Sequence, residues 1–125
     1  MDLNMKVMIV DDFATMRRIL RNILKQIGFK NIIEADDGKH ALKELKKEKV
    51  DLIMCDWNMP EMPGIELLKN VRSDDELKEI PFVMVTAEAQ KDNILEAVKS
   101  GVSNYVVKPF TAETITEKLS KIFDG

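Results

Sequence analysis

Short unbroken apolar runs alternate along the chain with stretches in which apolar residues recur every three or four positions. Val7-Met8-Ile9-Val10 is followed by Met16, Ile19, Leu20, Ile23, Leu24 and Ile27, one face of a helix that Gly28 would stop. Ile32-Ile33 predicts a shorter strand, and Ala41, Leu42 and Leu45 a second helix with a Lys/Glu outer face. Leu52-Ile53-Met54-Cys55 precedes a turn with Pro60, Pro63 and Gly64, then a helix through Leu67, Leu68 and Val71. Phe82-Val83-Met84-Val85 leads into a helix with Ile94, Leu95 and Val98 that stops near Gly101. Tyr105-Val106-Val107 precedes the last helix, through Ile115, Leu119 and Ile122.

Five such β-α units follow one another without a linker or a low-complexity stretch. Strands that are apolar at every position are those buried on both faces, as in a parallel sheet between two helical layers. Right-handed crossovers then place helices on both sides. The pattern predicts a single α/β domain over residues 1–125, a doubly wound five-stranded parallel sheet with five helices. The common order for such a sheet is 2-1-3-4-5.

Composition narrows the chemistry. The 125 residues carry 19 Lys+Arg against 22 Asp+Glu, a net charge of −3, with no basic excess to favour nucleic acid or an anionic membrane. One cysteine, Cys55, excludes an internal disulfide, and one histidine, His40, excludes a Cys/His zinc site. No apolar run approaches the ~20 residues of a membrane span, and the N-terminus lacks the apolar core of a signal peptide. A soluble protein of a reducing compartment, the cytoplasm, is the expectation. His40 is expected to be solvated, Cys55 to be core packing, and Met8, Met54 and Met84 to be strand core.

The polar residues fall at the strand ends. The first strand ends in Asp11-Asp12, the third in Asp56, the fourth in Thr86 and the fifth in Lys108. Carboxyl ends of parallel strands share one edge, where ligands of open α/β sheets bind. Each residue has a plainer reading: Asp12 or Thr86 as a helix N-cap, Asp56 as a turn former, Lys108 as a surface lysine. Their conjunction points elsewhere. Like charges at ~4 Å repel by ~4 kcal/mol per pair at an effective dielectric near 20, so three clustered carboxylates call for a cation or a shifted pKa. Oxygen ligands suit a hard divalent ion such as Mg²⁺, which favours phosphate as a co-ligand. A carboxylate beside such an ion, a hydroxyl and an ammonium is a phosphoryl-accepting arrangement.

These residues resemble the receiver domain of two-component response regulators over essentially the whole chain. Val10-Asp11-Asp12, Asp56 with Pro60 and Gly64, Val85-Thr86-Ala87 and Lys108-Pro109-Phe110 match that family's signatures in order and spacing. Further matches to its single-domain chemotaxis members are Phe13-Ala14-Thr15-Met16-Arg17-Arg18, Asp56-Trp57-Asn58-Met59-Pro60, Thr86-Ala87-Glu88-Ala89 and Asn104 through Thr111. The resemblance implies a flavodoxin-like fold and a phosphorylation-activated switch rather than an enzyme with a separate substrate. Asp56 would accept phosphate from the phosphohistidine of a CheA-type kinase. Mg²⁺, with Mn²⁺ as a substitute, would be bound by Asp11, Asp56 and the backbone carbonyl of Asn58, with Asp12 acting through water. Thr86 would contact the phosphoryl group, Lys108 would pair with it across a cis Lys108–Pro109 bond, and Tyr105 would be the switch aromatic. The output face would include Ala89, Ile94, Val98, Ser103, Tyr105, Val107 and Lys118. Expected partners of the monomer are the kinase, a FliM-type flagellar motor switch protein and a dedicated phosphatase. Pro63, where the family usually has Asp, is the one departure; a proline suits the first turn of a helix.

Three other functions share parts of this pattern. A phosphatase of the haloacid-dehalogenase type also uses an aspartyl phosphate, but needs an Asp two residues after the nucleophile, where Asn58 stands. A flavin-binding module leaves the five converging polar residues unexplained. A phosphorelay intermediate passing its phosphate onward is a third, closer alternative.

Overall fold

Every second side chain of a strand points to the same face of its sheet, and here both faces are apolar. The computed structural model describes residues 1–87 and 91–124, with the side chains of residues 91 and 92 outside the description. The strands are β1 (Lys6–Val10), β2 (Asn31–Ala35), β3 (Leu52–Asp56), β4 (Phe82–Thr86) and β5 (Asn104–Val107). They alternate with α1 (Ala14–Ile27), α2 (Gly38–Lys47), α3 (Gly64–Ser73), α4 (Lys91–Lys99) and α5 (Ala112–Phe123). All pairings are parallel and the sheet order is β2-β1-β3-β4-β5. This is the doubly wound, flavodoxin-like α/β fold that the alternation predicts.

Two cores result, one on each face. Met8, Val10, Ile53, Cys55, Phe82 and Met84 pack with Ala41 and Leu45 of α2 and Leu67, Leu68 and Val71 of α3. Val7, Ile9, Leu52, Met54, Val83, Val85 and Val106 pack with Leu20 and Leu24 of α1 and Ile115 and Leu119 of α5. Residues of β3 and β4 are buried without exception, whereas the edge strand β2 carries exposed Asn31 and half-buried Glu34. Polar edge positions discourage pairing with another chain.

Helix ends follow local chemistry. Gly28 stops α1 with φ 126°, a left-handed conformation that glycine adopts without penalty. Asp37 caps α2 by accepting from the His40 amide at 2.7 Å, and Thr111 caps α5 by accepting from Thr114 at 3.1 Å. The helices that follow the acid-bearing strands have no side-chain cap: Phe13 and Pro63 occupy the N-cap positions of α1 and α3. Pro63 therefore stands one residue before the helical turn expected of it. Its carbonyl accepts from the amides of Glu66 and Leu67.

Candidate phosphoacceptor and metal site

The register of the sheet builds the site. Val10 pairs with Cys55, so Asp11 and Asp56 stand one residue further along adjacent strands. Asp56 in turn faces Val85 on β4, and Thr86 faces Val107 on β5. The acid pair, the third acid, the alcohol and the amine thus emerge at one rim of the sheet.

One carboxylate oxygen from each of Asp11, Asp12 and Asp56 lies within 4.8 Å of the others. Asp11 and Asp56 are buried and Asp12 is exposed. Asp12 does not cap α1, whose N-cap is Phe13, so the plainer reading of this residue falls away. Instead the Phe13 amide donates to Asp11 Oδ1 at 2.9 Å, so the doubled acid folds back on its own turn. Asp11 Oδ2 remains facing the rim, 3.9 Å from Lys108 Nζ. Burial raises the Asp11 pKa above the ordinary carboxylate range; the Phe13 amide opposes the rise and the negative charge of Asp56 adds to it.

Lys108 reaches the cluster from the end of β5. Its Nζ donates to Asp56 Oδ1 at 2.9 Å, and its own amide donates to the Thr86 carbonyl at 2.7 Å. The Lys108–Pro109 bond is cis, as expected. One ammonium cannot balance three carboxylates: each pair at such spacing repels by ~3–4 kcal/mol at an effective dielectric near 20. The donors are hard oxygens on converging backbones, with one carboxylate oxygen of Asp11 engaged by an amide and the other only in a long ion pair with Lys108. This set fits a small divalent cation of the Mg²⁺ kind. Asn58 lies two residues past Asp56, exposed, on the loop whose first amide, from Trp57, donates to the Val85 carbonyl at 2.8 Å.

Thr86 is buried at the end of β4. It lines a small apolar pocket with Trp57, Met84, Asn93, Ile94, Ala97 and Tyr105. That pocket connects the acidic rim to the expected output face. Tyr105 is half-buried, and the Lys118 ammonium stands 4.8 Å from the centre of its ring, a cation–π contact. Val98 is 60% exposed, Val107 is half-buried, and Ile94 belongs to the pocket. Ser103 sits at the opposite end of the sheet from the acids, where its hydroxyl accepts from the Phe82 amide at 3.0 Å. Ala89 lies outside the described residues.

Other expectations hold. Cys55 and the three strand methionines are buried in the two cores. His40 is on the surface of α2 between Asp36, 3.0 Å from Nδ1, and Glu44, 3.8 Å from Nε2. Trp57 is half-buried beside the pocket. Two features were not read from the sequence. Leu95 is 47% exposed beside Val98, with Ala97 the buried residue of α4 among the described side chains. Arg17 turns from α1 to donate to the Asp11 carbonyl at 2.6 Å.

The family model of the response regulator receiver domain matches residues 7–120. Chemotaxis protein CheY-3 of Vibrio cholerae is 59% identical over 121 residues, covering 97% of this chain and 93% of that protein. Chemotaxis protein CheY of Pseudomonas aeruginosa is 56% identical over 120 residues, covering 96% and 97%. Among solved structures, the V. cholerae chemotaxis protein CheY4 superposes with a TM-score of 0.89 at 33% identity, covering 96% of this chain and 99% of that one. The receiver domain of a Syntrophus aciditrophicus histidine kinase shares the fold at a TM-score of 0.85 and 24% identity, covering 97% and 91%.

Proposed function

The chain belongs to the response regulator receiver family, and from that premise we propose that Asp56 is its phosphoacceptor and that Thr86, Lys108 and Tyr105 carry the signal outward. It is a chemotaxis response regulator of the CheY type, a signalling switch rather than a turnover enzyme. The observation that carries the residue assignment is the Lys108–Asp56 hydrogen bond of 2.9 Å inside a cluster of three carboxylates.

In this reading Asp56 attacks the phosphorus of a phosphohistidine on a CheA-type kinase. The P–O bond forms as the P–N bond breaks, and the imidazole, already protonated at its other ring nitrogen, leaves as the neutral ring. Asp11, Asp56 and the Asn58 carbonyl would hold Mg²⁺, with Asp12 acting through water. The ion would supply positive charge to the phosphoryl oxygens. Lys108, already in contact with the nucleophile, shifts its hydrogen bond to a phosphoryl oxygen, and the Thr86 hydroxyl donates to another. Movement of Thr86 changes the pocket that it shares with Tyr105, Ile94 and Ala97. Tyr105 then turns inward and presents a different face along α4, β5 and α5. A FliM-type motor switch protein in the cytoplasm is the proposed receiver of that change, with Ala89, Ile94, Val98, Ser103, Val107 and Lys118 contributing to the face. A dedicated phosphatase would reset it.

The test has two arms. Phosphoryl transfer from a labelled small-molecule donor should mark the wild type and not Asp56→Asn, since Asp56 stands on the strand between the acid pair and Thr86 and is the carboxylate that Lys108 hydrogen-bonds. Label retained in Asp56→Asn would overturn the acceptor. A peptide from the motor switch protein should bind more tightly when a beryllofluoride mimic occupies Asp56. Equal affinity in both states would overturn the switch.

A further inference from the structure

Asp11 is held at three points. Its amide donates to the Ala35 carbonyl of β2 at 3.2 Å, its Oδ1 accepts from the Phe13 amide, and its carbonyl accepts from Arg17 Nη1 at 2.6 Å. The third contact belongs to a longer chain. Arg17 Nε donates to Glu34 Oε1 at 3.2 Å, and Arg21 Nη1 donates to Glu34 Oε2 at 2.6 Å. Glu34 is fixed in turn by its place in β2, paired with Ile9 of β1. The guanidinium is mostly withdrawn from solvent, with 18% of the Arg17 side chain exposed.

The carbonyl that Arg17 grips belongs to the peptide joining Asp11 to Asp12. A peptide group is planar, so holding its oxygen fixes the orientation of that plane, and with it the directions in which the chain leaves toward both flanking residues. Of the three contacts, this is the one made by another residue's side chain, and it ties the peptide between the two carboxylates to α1, whose Leu20 and Leu24 pack in the core shared with α5. We propose that Arg17, oriented by Glu34, is a positioning residue for the acidic pair and sets how well that pair binds Mg²⁺. This inference rests on the reading of the cluster as a Mg²⁺ site.

Charge and geometry predict opposite signs, which makes the proposal decidable. A guanidinium beside a cation site opposes the cation by simple repulsion, so its loss would tighten Mg²⁺ binding on electrostatic grounds alone. If Arg17 acts by placement, its loss weakens binding instead. Lysine keeps the charge but lacks the planar fork that serves Glu34 and the Asp11 carbonyl together. Partners that orient metal ligands commonly change affinity by ~10–100-fold when removed.

Calorimetric Mg²⁺ titration of the full chain is the test, with amide NMR spectra verifying the fold of each variant. Arg17→Lys and Arg17→Gln should each raise the Mg²⁺ dissociation constant about tenfold and shift the Asp11 and Asp12 amide resonances. Glu34→Gln should act less strongly in the same direction, and exposed Arg18→Gln should leave the constant unchanged. Unaltered affinity in Arg17→Lys, or tighter binding in Arg17→Gln, would overturn the proposal. If both Arg17 variants fail to fold, Glu34→Gln decides, and wild-type affinity there overturns it. A wild type that takes up no Mg²⁺ removes the underlying reading, and this inference with it, an outcome distinct from equal binding by wild type and variants.

Discussion

Asp11 is buried where a charge is costly, and its raised pKa has a definite consequence for stability. An acid whose folded pKa lies above its unfolded value binds more protons in the native state, so the ion-free protein loses stability as pH rises through that interval. The penalty is complete above the folded pKa and absent below the ordinary value of 3.8. Asp11→Asn keeps an acceptor for the Phe13 amide and removes the charge. At pH 7 in chelator it should melt at a higher temperature than the wild type. That gain should shrink as pH falls toward 4, and Mg²⁺ should no longer raise the melting temperature. Thermal denaturation at two pH values, with and without Mg²⁺, checks all three. One residue away from Asp56, Cys55 illustrates the opposite case, a group made inert by its surroundings. It is fully buried, and burial, then the charges of Asp56 and Asp11, push its thiol well above the usual range. Thiolate and access are both needed for reaction. Alkylation of the native protein at pH 8 should run on the order of 100-fold slower than in denaturant, and comparable rates would contradict the placement.

At the scale of elements, the loop from β3 to α3 determines how well Asp56 is presented. Its ends are tied by the Trp57 amide on Val85 and by the Gly64 amide on the Trp57 carbonyl at 2.9 Å. Gly64 lies so close beneath Asp56 that a Cβ there would stand 2.4 Å from the Asp56 carbonyl oxygen and 2.9 Å from Met84 Sδ. The oxygen belongs to the central strand and cannot retreat. Gly64→Ala should therefore cost about 3 kcal/mol, read as a lower urea midpoint with an unchanged slope, and should slow phosphoryl uptake by moving Asp56. A midpoint like that of the wild type would show that the strand yields. The sequence signals for these elements differ in strength for physical reasons. Val7–Val10 and Phe82–Val85 are apolar at every position because both faces are covered, and that pattern admits few alternatives. The helix with Ile94, Leu95 and Val98 is apolar on more sides than it buries, so periodicity alone did not reveal that Ala97 faces inward while Leu95 and Val98 face solvent. Likewise Asp12 looks like a cap until the fold shows Asp11 taking the Phe13 amide. Arg17, Arg18 and Arg21 are indistinguishable along the chain, and only the proximity of α1 to β2 selects the one that reaches the Asp11 carbonyl.

Across the whole molecule, the rim and the output face must be coupled by more than one contact. Lys108 already bonds Asp56 before phosphorylation, so it contributes only the difference between a carboxylate and a phosphoryl acceptor. A charged hydrogen bond from Thr86 to a phosphoryl oxygen is worth at most ~1.5–3 kcal/mol. Inverting a two-state population from 1:99 to 99:1 takes ~5.5 kcal/mol. Moreover, Tyr105 starts half-buried, with the Lys118 ammonium against its ring, and turning it inward gives up that contact. The phosphoryl group alone should thus leave Tyr105 divided between two positions, with the output partner's preference for one of them completing the shift. In a beryllofluoride complex, NMR of a fluorinated Tyr105 should report a mixture that collapses to a single state when the motor switch peptide is added. Thr86→Ala should keep the mimic bound but reduce the mimic's enhancement of peptide affinity by about 10–100-fold, the equivalent of that one hydrogen bond. A complete inward shift in Thr86→Ala without any peptide would show that the coupling runs by another route.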